Sequence, residues 1–259
     1  MSRPARGAPR TPRACERCLR RSWLLAELSG PLDYWAPDRS RLIELLRLED
    51  EELLQAAAGR RTTELRARYQ RFDVGELHRG ANVEAVCSHD RLYPRALRDA
   101  AAPRMLYVTG GAERLARLTA APVVAIVGSR RASDYGIEMA RSIGRGLAAS
   151  GVTVTSGLAD GIPVAAHTGA LEAQGETLAV MSGGLGVSCP ARRRSLYERI
   201  KHGGCAIAEL PCDCRGRRWG QAASERILAQ LARLIIVVEA GDGPGQLALA
   251  RIAQALGRP

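Results

Sequence analysis

Three turns rich in glycine and serine, each following an apolar run, carry the residues whose types and spacing could do chemistry. In VVAIVGSRRASDYG the apolar run 123–127 gives way to Gly128-Ser129-Arg130, and a helix is expected to open at Ser133 or Asp134. Glycine allows close approach of a backbone to an anion, and Ser129 offers a hydroxyl. The first amides of a helix have no partner within it and point outward. Arg130 adds a fixed charge with paired donors. Together these residues form a phosphate cradle; the plainer reading is a strand-to-helix turn capped by Ser133. In VTVTSGLADGIPVAAHTGAL a second strand ends in Ser156-Gly157, and a third, in MSGGLG, ends beside Gly183 and Gly184. If the strands are neighbours, all three turns face one crevice. His167, on the helix after the second turn, reads as a structural histidine packed beneath it. No G-x-G-x-x-G follows the first strand, which argues against a dinucleotide site.

Basic residues lie where such a crevice would need them. Arg192, Arg193 and Arg194 precede a helix that ends in Lys201 and His202, and Arg215, Arg217 and Arg218 lead into Trp219. Arginines beside an exposed tryptophan can hold a backbone and stack a base; equally, Trp219 can seal the fold and leave the arginines solvated. The formal charge is +11 and the pI about 10.0, carried almost wholly by arginine, with Lys201 the single lysine. Such a charge points to a polyanion, either nucleic acid or an anionic membrane surface. No apolar stretch of about 18 residues exists, so no membrane span is expected.

Seven cysteines without secretory context predict reduced thiols in a cytoplasm. Cys15 and Cys18 form one C-x-x-C, but Cys212-Asp213-Cys214 is too tight for a second knuckle, and a structural zinc needs four ligands. Neither a metal nor a cofactor is therefore expected. Cys18 is read as packing and Cys15 as an exposed thiol; Cys87 and Cys205 are read as buried packing residues.

The elements that must position these turns follow from periodicity. The basic, proline-rich stretch 1–14 has no apolar segment of a signal peptide and is expected to be a disordered tail. Residues 15–80 predict a small helical (SAM/HhH-like) module: Trp23, Leu24, Leu25 and Leu28 share a face, and Leu42, Leu45, Leu46, Leu48, Leu53 and Leu54 continue it over two short helices. Gly30-Pro31 and Ala36-Pro37 punctuate them. Short strands are expected in VEAVCSHDRLYPRAL and MLYVTGG. From residue 122, apolar strands at 123–127, 152–155, 177–181, 205–209 and 234–240 alternate with amphipathic stretches at 134–149, 160–173, 191–202, 223–232 and 245–256. That pattern predicts an α/β fold: a Rossmann-like parallel sheet with helices on both faces, spanning 81–259. Ligands in such folds bind beyond the carboxyl ends of the strands.

The strings IVGSRRASDYG, TSGLADGI, AAHTGAL, GETLAVMSGGL, AELP, RILAQLA, VVEA and ALGR, in this order over about 135 residues, resemble the DprA/Smf (DNA-processing protein A) family. The upstream CSHDRLYPRALRDAAAPRMLYVTGG resembles the segment that precedes that domain, and ACERCLRRSWLLAEL looks like the helical module of actinobacterial-type members. The resemblance implies a cytoplasmic, dimeric, non-catalytic protein that binds single-stranded DNA and loads a RecA-type recombinase in transformation or recombination. It carries Gly128, Ser129 and Arg130 over as the DNA-backbone loop, with Ser156 and Gly157 as the second. Joined to the basic residues above, the expected binding set is Gly128, Ser129, Arg130, Ser133, Ser156, Gly157, Gly183, Gly184, Arg192, Lys201, Arg217, Trp219 and Arg226.

Departures from the family pattern are several. Its G-I-D is here Gly161-Ile162-Pro163, its Tyr-Pro is Cys189-Pro190, and in its W-x-F-P-x-R-N-R block only Trp219 and Arg226 remain; Gln221, Ala222, Ser224 and Glu225 replace the Phe, Pro, Arg and Asn. A lost arginine and a gained glutamate weaken phosphate binding. The later SGSL-type turn is Pro244-Gly245-Gln246-Leu247, and the family's final strand and winged helix are read as missing after Pro259. Two other functions stay open on the residues: a small-nucleotide binder or hydrolase, with Glu209, Glu225 and Glu239 as candidate carboxylates, and a degenerate paralogue that only oligomerises.

Overall fold

A computed structural model describes residues 13–77, 82–98, 102–187, 189, 191–241 and 247–259; the tail 1–12 and the Pro244-Gly245-Gln246 turn lie outside them. Arg13 and Ala14, expected in the disordered tail, are placed: Arg13 bridges Val86 and Ala14 is buried.

The helical segment holds five helices, α1 (Glu16–Glu27), α2 (Ser29–Trp35), α3 (Arg39–Arg47), α4 (Asp50–Ala57) and α5 (Thr62–Arg71). Gly30-Pro31 does not break the chain. Pro31 falls in the first turn of α2, where a missing N–H leaves no helical bond unmade. The Asp38 side chain caps α3 by accepting from the Arg41 N–H, and a Glu49/Glu52 capping box opens α4. Leucines 24, 25, 28, 32, 42, 45, 53, 54 and 65 bury one face of each helix in a common cluster.

The rest of the chain runs β1 (Glu84–Cys87), β2 (Met105–Thr109), α6 (Ala112–Ala120), β3 (Val123–Gly128), α7 (Asp134–Ala149), β4 (Thr153–Ser156), α8 (Ile162–Glu172), β5 (Thr177–Met181), α9 (Arg194–Gly203), β6 (Cys205–Ala208), α10 (Arg218–Leu231), β7 (Leu234–Val238) and α11 (Ala248–Ala255). The sheet order is β1-β2-β6-β5-β4-β3-β7. Strands β3 to β7 are parallel, whereas β1–β2 and β2–β6 pair antiparallel. The sheet is therefore mixed, because the leading pair extends the parallel block that strand–helix alternation predicts.

Side chains alternate faithfully across it. Leu106, Val108, Leu178, Val180, Cys205 and Ile207 face α6, α10 and α11; Met105, Tyr107, Ala179, Met181, Ala206 and Ala208 face α1 and α9. Helices α7 and α8 cover β3 and β4 through Ile126, Val154, Ala140 and Ala166. Helix α10 lies between two cores. Ile227, Leu228 and Leu231 pack on the sheet, while Trp219, Ala222 and Ala223 join the leucines of the helical segment.

Candidate nucleic-acid interface

The turn after β3 is held by β7. A Cβ at Gly128 would collide with the Val238 carbonyl oxygen, so this glycine serves the approach of the neighbouring strand rather than of an anion. The Ser129 N–H donates to the Glu239 carbonyl (2.8 Å), and the Arg131 N–H donates to Ser129 Oγ (3.1 Å). Ser133 caps α7, its Oγ accepting from the Gly136 N–H (3.1 Å). Its own N–H and hydroxyl donate to the Glu239 carboxylate at 2.9 and 2.6 Å. A carboxylate suits the positive end of a helix. The helix start expected to receive a phosphate is thus occupied by Glu239, and Ser133 points into that contact. What the turn presents to solvent is the exposed pair Arg130 and Arg131.

The second turn is latched to the first. Gly161 takes φ +76, a Cβ there would strike the Ser129 carbonyl, and the Ile162 N–H donates to that same oxygen at 3.1 Å. The Ser156 hydroxyl is fully buried and donates to the Ile126 carbonyl (2.6 Å), so it fixes β4 to β3. His167 supports the turn from below. Nε2 donates to the Gly157 carbonyl (2.9 Å), and Nδ1 lies 2.7 Å from Thr177 Oγ1. Complete burial pushes its pKa down to about 4 and keeps the ring neutral.

These turns open onto a cleft of about 790 Å³ at the carboxyl ends of β3, β4 and β5. Among the described residues, five arginines line it, Arg39, Arg130, Arg131, Arg192 and Arg193, against two carboxylates, Asp160 and Glu225. Asp160 pairs with Arg192 and, at 3.4 Å, with Arg193 Nε. Arg130 donates to the Gln221 side-chain oxygen. Arg39 reaches in from α3, its Nη1 3.2 Å from Glu225 Oε2. Burial pushes the Glu225 carboxyl above the usual range, with Arg39 acting in the opposite sense.

Gly128, Ser129, Arg130, Ser156, Gly157 and Arg192 are brought together in this cleft, and the remaining expected residues are not. Gly183 and Gly184 are buried, the Gly184 N–H donating to the Cys214 carbonyl (2.8 Å); Met181 and Ser182 line the cleft instead. Lys201 sits on α9, paired with Glu198 at 2.7 Å and stacked 5.1 Å from the Tyr197 ring centre. Arg217 is exposed just ahead of α10, away from the cleft lining. Trp219 is 0% exposed, with its Nε1–H on Ser29 Oγ (3.2 Å), and has no face left on which to stack a base. Arg226 is 2% exposed and donates to Glu209 at 2.7 Å. Of the three candidate carboxylates, Glu209 is committed to Arg226, Glu239 to α7, and Glu225 alone lines the cleft. Sequence reading missed Arg39 and Arg131. Arg131 adjoins the first turn and was within reach; Arg39 has no local signal, since only the packing of α3 on α10 brings it here.

The fold and the cleft define a Rossmann-like α/β protein with an arginine-lined cleft at the ends of its parallel strands. Residues 84–259 match the family described as DNA recombination-mediator protein A, and the chain belongs to that family. It is similar to protein Smf of Synechocystis sp., 35% identical over 188 residues that make up 72% of this chain and 47% of that one. In structure it is similar to DNA processing protein A of Streptococcus pneumoniae, with a TM-score of 0.70 and 28% identity, over 93% of this chain and 82% of that one. The fold is also that of DNA processing protein A from Helicobacter pylori, described for its single-stranded DNA binding mode (TM-score 0.60, 24% identity, over 71% and 81%). The chain spans about half the length of the Synechocystis relative.

Proposed function

We propose that the cleft holds the sugar-phosphate backbone of single-stranded DNA and that the protein passes the strand to a RecA-type recombinase. The observation that carries the reading is the excess of arginine over carboxylate at the ends of β3, β4 and β5. Guanidinium groups bind phosphate in pairs and stack on unpaired bases, as a single strand requires. Membership in a recombination-mediator family favours DNA as the polyanion. No helix among the described residues is long and apolar enough to cross a membrane. We place the protein in the cytoplasm, where its cysteines stay reduced. We further propose a homodimer, for which the edge strand β7 offers Leu234 and Val237 at 38% and 37% exposure. The division into a helical module over 15–80 and a Rossmann-like domain over 81–259 belongs to the same proposal.

The test is binding of a labelled oligothymidylate across a salt series, for the parent chain and for Arg130→Ala. Affinity should fall with salt with a log–log slope of about −0.7 per phosphate contacted, and Arg130→Ala should weaken it. Absence of binding at low salt overturns the reading. The half-buried Glu225 carboxyl in the cleft favours one competitor, a nucleotide hydrolase. Release of product from a nucleoside monophosphate, lost in Glu225→Gln, would support that instead.

A further inference from the structure

Away from the cleft, the chain gathers three cysteines and a histidine from two distant segments. Cys15 is the residue before α1, Cys18 lies one turn into that helix, Cys87 ends β1, and His89 sits in the turn that follows. That turn is closed by the Asp90 N–H on the Cys87 carbonyl at 2.9 Å. Cys18 and His89 are 71 positions apart in sequence. The four ligand atoms nevertheless all lie within 4.8 Å of one another.

The spacing has a chemical meaning. His89 Nδ1 is 3.5 Å from Cys15 Sγ, 3.6 Å from Cys18 Sγ and 3.7 Å from Cys87 Sγ. Zinc at about 2.3 Å from sulfur and about 2.0–2.1 Å from nitrogen, with tetrahedral angles, sets sulfur and nitrogen about 3.6 Å apart. Ordinary apolar packing does not explain the cluster, because Cys15 and His89 are exposed while Cys18 and Cys87 are buried. The surroundings also suit thiolates. The Cys15 N–H points at Cys87 Sγ (3.5 Å), a backbone donor of the kind that orients metal-bound sulfur. Arg13 fixes the approach to α1 by bridging Val86 and by pairing with Glu84 (3.8 Å) and Glu113.

We infer that Cys15, Cys18, Cys87 and His89 bind one zinc ion that fastens the start of α1 to the end of β1. Thiolate and imidazole together select zinc over hard cations such as magnesium or calcium. Four protein ligands complete a tetrahedron and leave no open position, which makes the site structural rather than catalytic. The C-x-x-C finds its partners in a C-x-H at the end of a strand, a pairing that no local spacing reveals. Because the ion closes a long loop between segments that are apart in the unfolded chain, its binding contributes to folding. None of the four ligands lines the arginine cleft, so the site stands whether or not the cleft binds DNA.

Elemental analysis of the full chain, purified with a histidine-free tag and no chelator, tests this directly. We expect about one zinc per chain in the parent, below about a tenth of that in Cys18→Ser and Cys87→Ser, and an unchanged content in Cys205→Ser. Should the ligand variants fail to fold, metal-stripped parent chain is titrated with cobalt(II). One equivalent should give the intense tetrahedral and thiolate charge-transfer bands, and zinc should abolish them. Zinc and cobalt both failing to bind, iron in place of zinc, or a zinc content that survives both substitutions would each overturn the assignment.

Discussion

The turn after β3 and helix α10 are made of similar material, arginines among small residues, and they serve opposite ends. Arg130 stands exposed on a turn whose backbone is tied down by Glu239 and Ile162. Arg226 is sealed between the sheet and the helical segment, with Glu209 as its counter-ion. The difference lies in what each element must pack against. The turn opens onto the cleft, so Arg130 and Arg131 stay exposed, and Arg130 reaches the Gln221 side chain of α10. Helix α10 is covered on nearly every side, so its polar groups must find partners inside the protein. Charge counted along a sequence therefore overstates charge on a surface.

The largest expected effect breaks α10. Trp219→Ala removes a fully buried side chain together with its bond to Ser29 and should cost about 3–5 kcal/mol. Glu209→Ala strands the Arg226 charge in the interior and should cost a similar amount, about 3–5 kcal/mol. Urea unfolding measures both. Oligonucleotide affinity, corrected for the folded fraction, should not change; a stable Trp219→Ala protein that no longer binds would return Trp219 to the interface.

Next in size is a pH effect beneath the second turn. His167 has a folded pKa of about 4, below its ordinary value of 6.5. The unfolded chain therefore binds more protons between these values, and stability rises with pH there. Its contribution is complete above about pH 6.5 and is lost as the pH falls towards 4, to a total of the order of 3 kcal/mol. Stability of His167→Gln followed by denaturant midpoints from pH 7 to 4 should lose this slope. An unchanged slope would mean that another group governs it.

Smaller again are the effects of the cleft arginines. Arg130→Ala should weaken oligothymidylate binding by roughly tenfold at low salt, about 1.4 kcal/mol, and reduce the salt slope by about 0.7. Arg192→Ala should do less, because Asp160 already engages that side chain. Lys201→Ala, on α9 and paired with Glu198, should leave both unchanged.

These contrasts show what could be read from the chain beforehand. The five parallel strands were legible because a strand buried on both faces is a continuous apolar run, and α7 was legible to the residue from its Ser133 cap. The antiparallel pairing of β1 with β2, and of β2 with β6, was not, since it is set by distant partners rather than by local pattern. Gly128, Ser129, Arg130, Ser156, Gly157 and Arg192 line one cleft, as neighbouring strand ends require. The third turn is not legible because the 211–214 loop packs over Gly184, nor is the helix start after β3, because Glu239, just past β7, reaches it from 106 positions away. Helix α6 carries little local signal, because it is short and follows a glycine with no side-chain cap.

The finest test of the contrast is Glu225, the point where α10 does reach the cleft. Its carboxyl would oppose a phosphate of a strand bound in the cleft, and it is held by Arg39 at 3.2 Å. Glu225→Asn restores the residue type the family pattern carries there. It removes one negative charge and releases Arg39 towards the strand. A charge lost at about 8 Å in a largely aqueous cleft is worth roughly 0.5–1 kcal/mol, a two- to five-fold gain in oligonucleotide affinity that should shrink as salt rises. The gain should differ in an Arg39→Ala background, because Glu225→Asn also releases that guanidinium, and the double-mutant cycle reads the coupling directly. If Glu225→Asn leaves affinity unchanged in both backgrounds, the strand does not pass along α10, and the interface is confined to the two turns and Arg192.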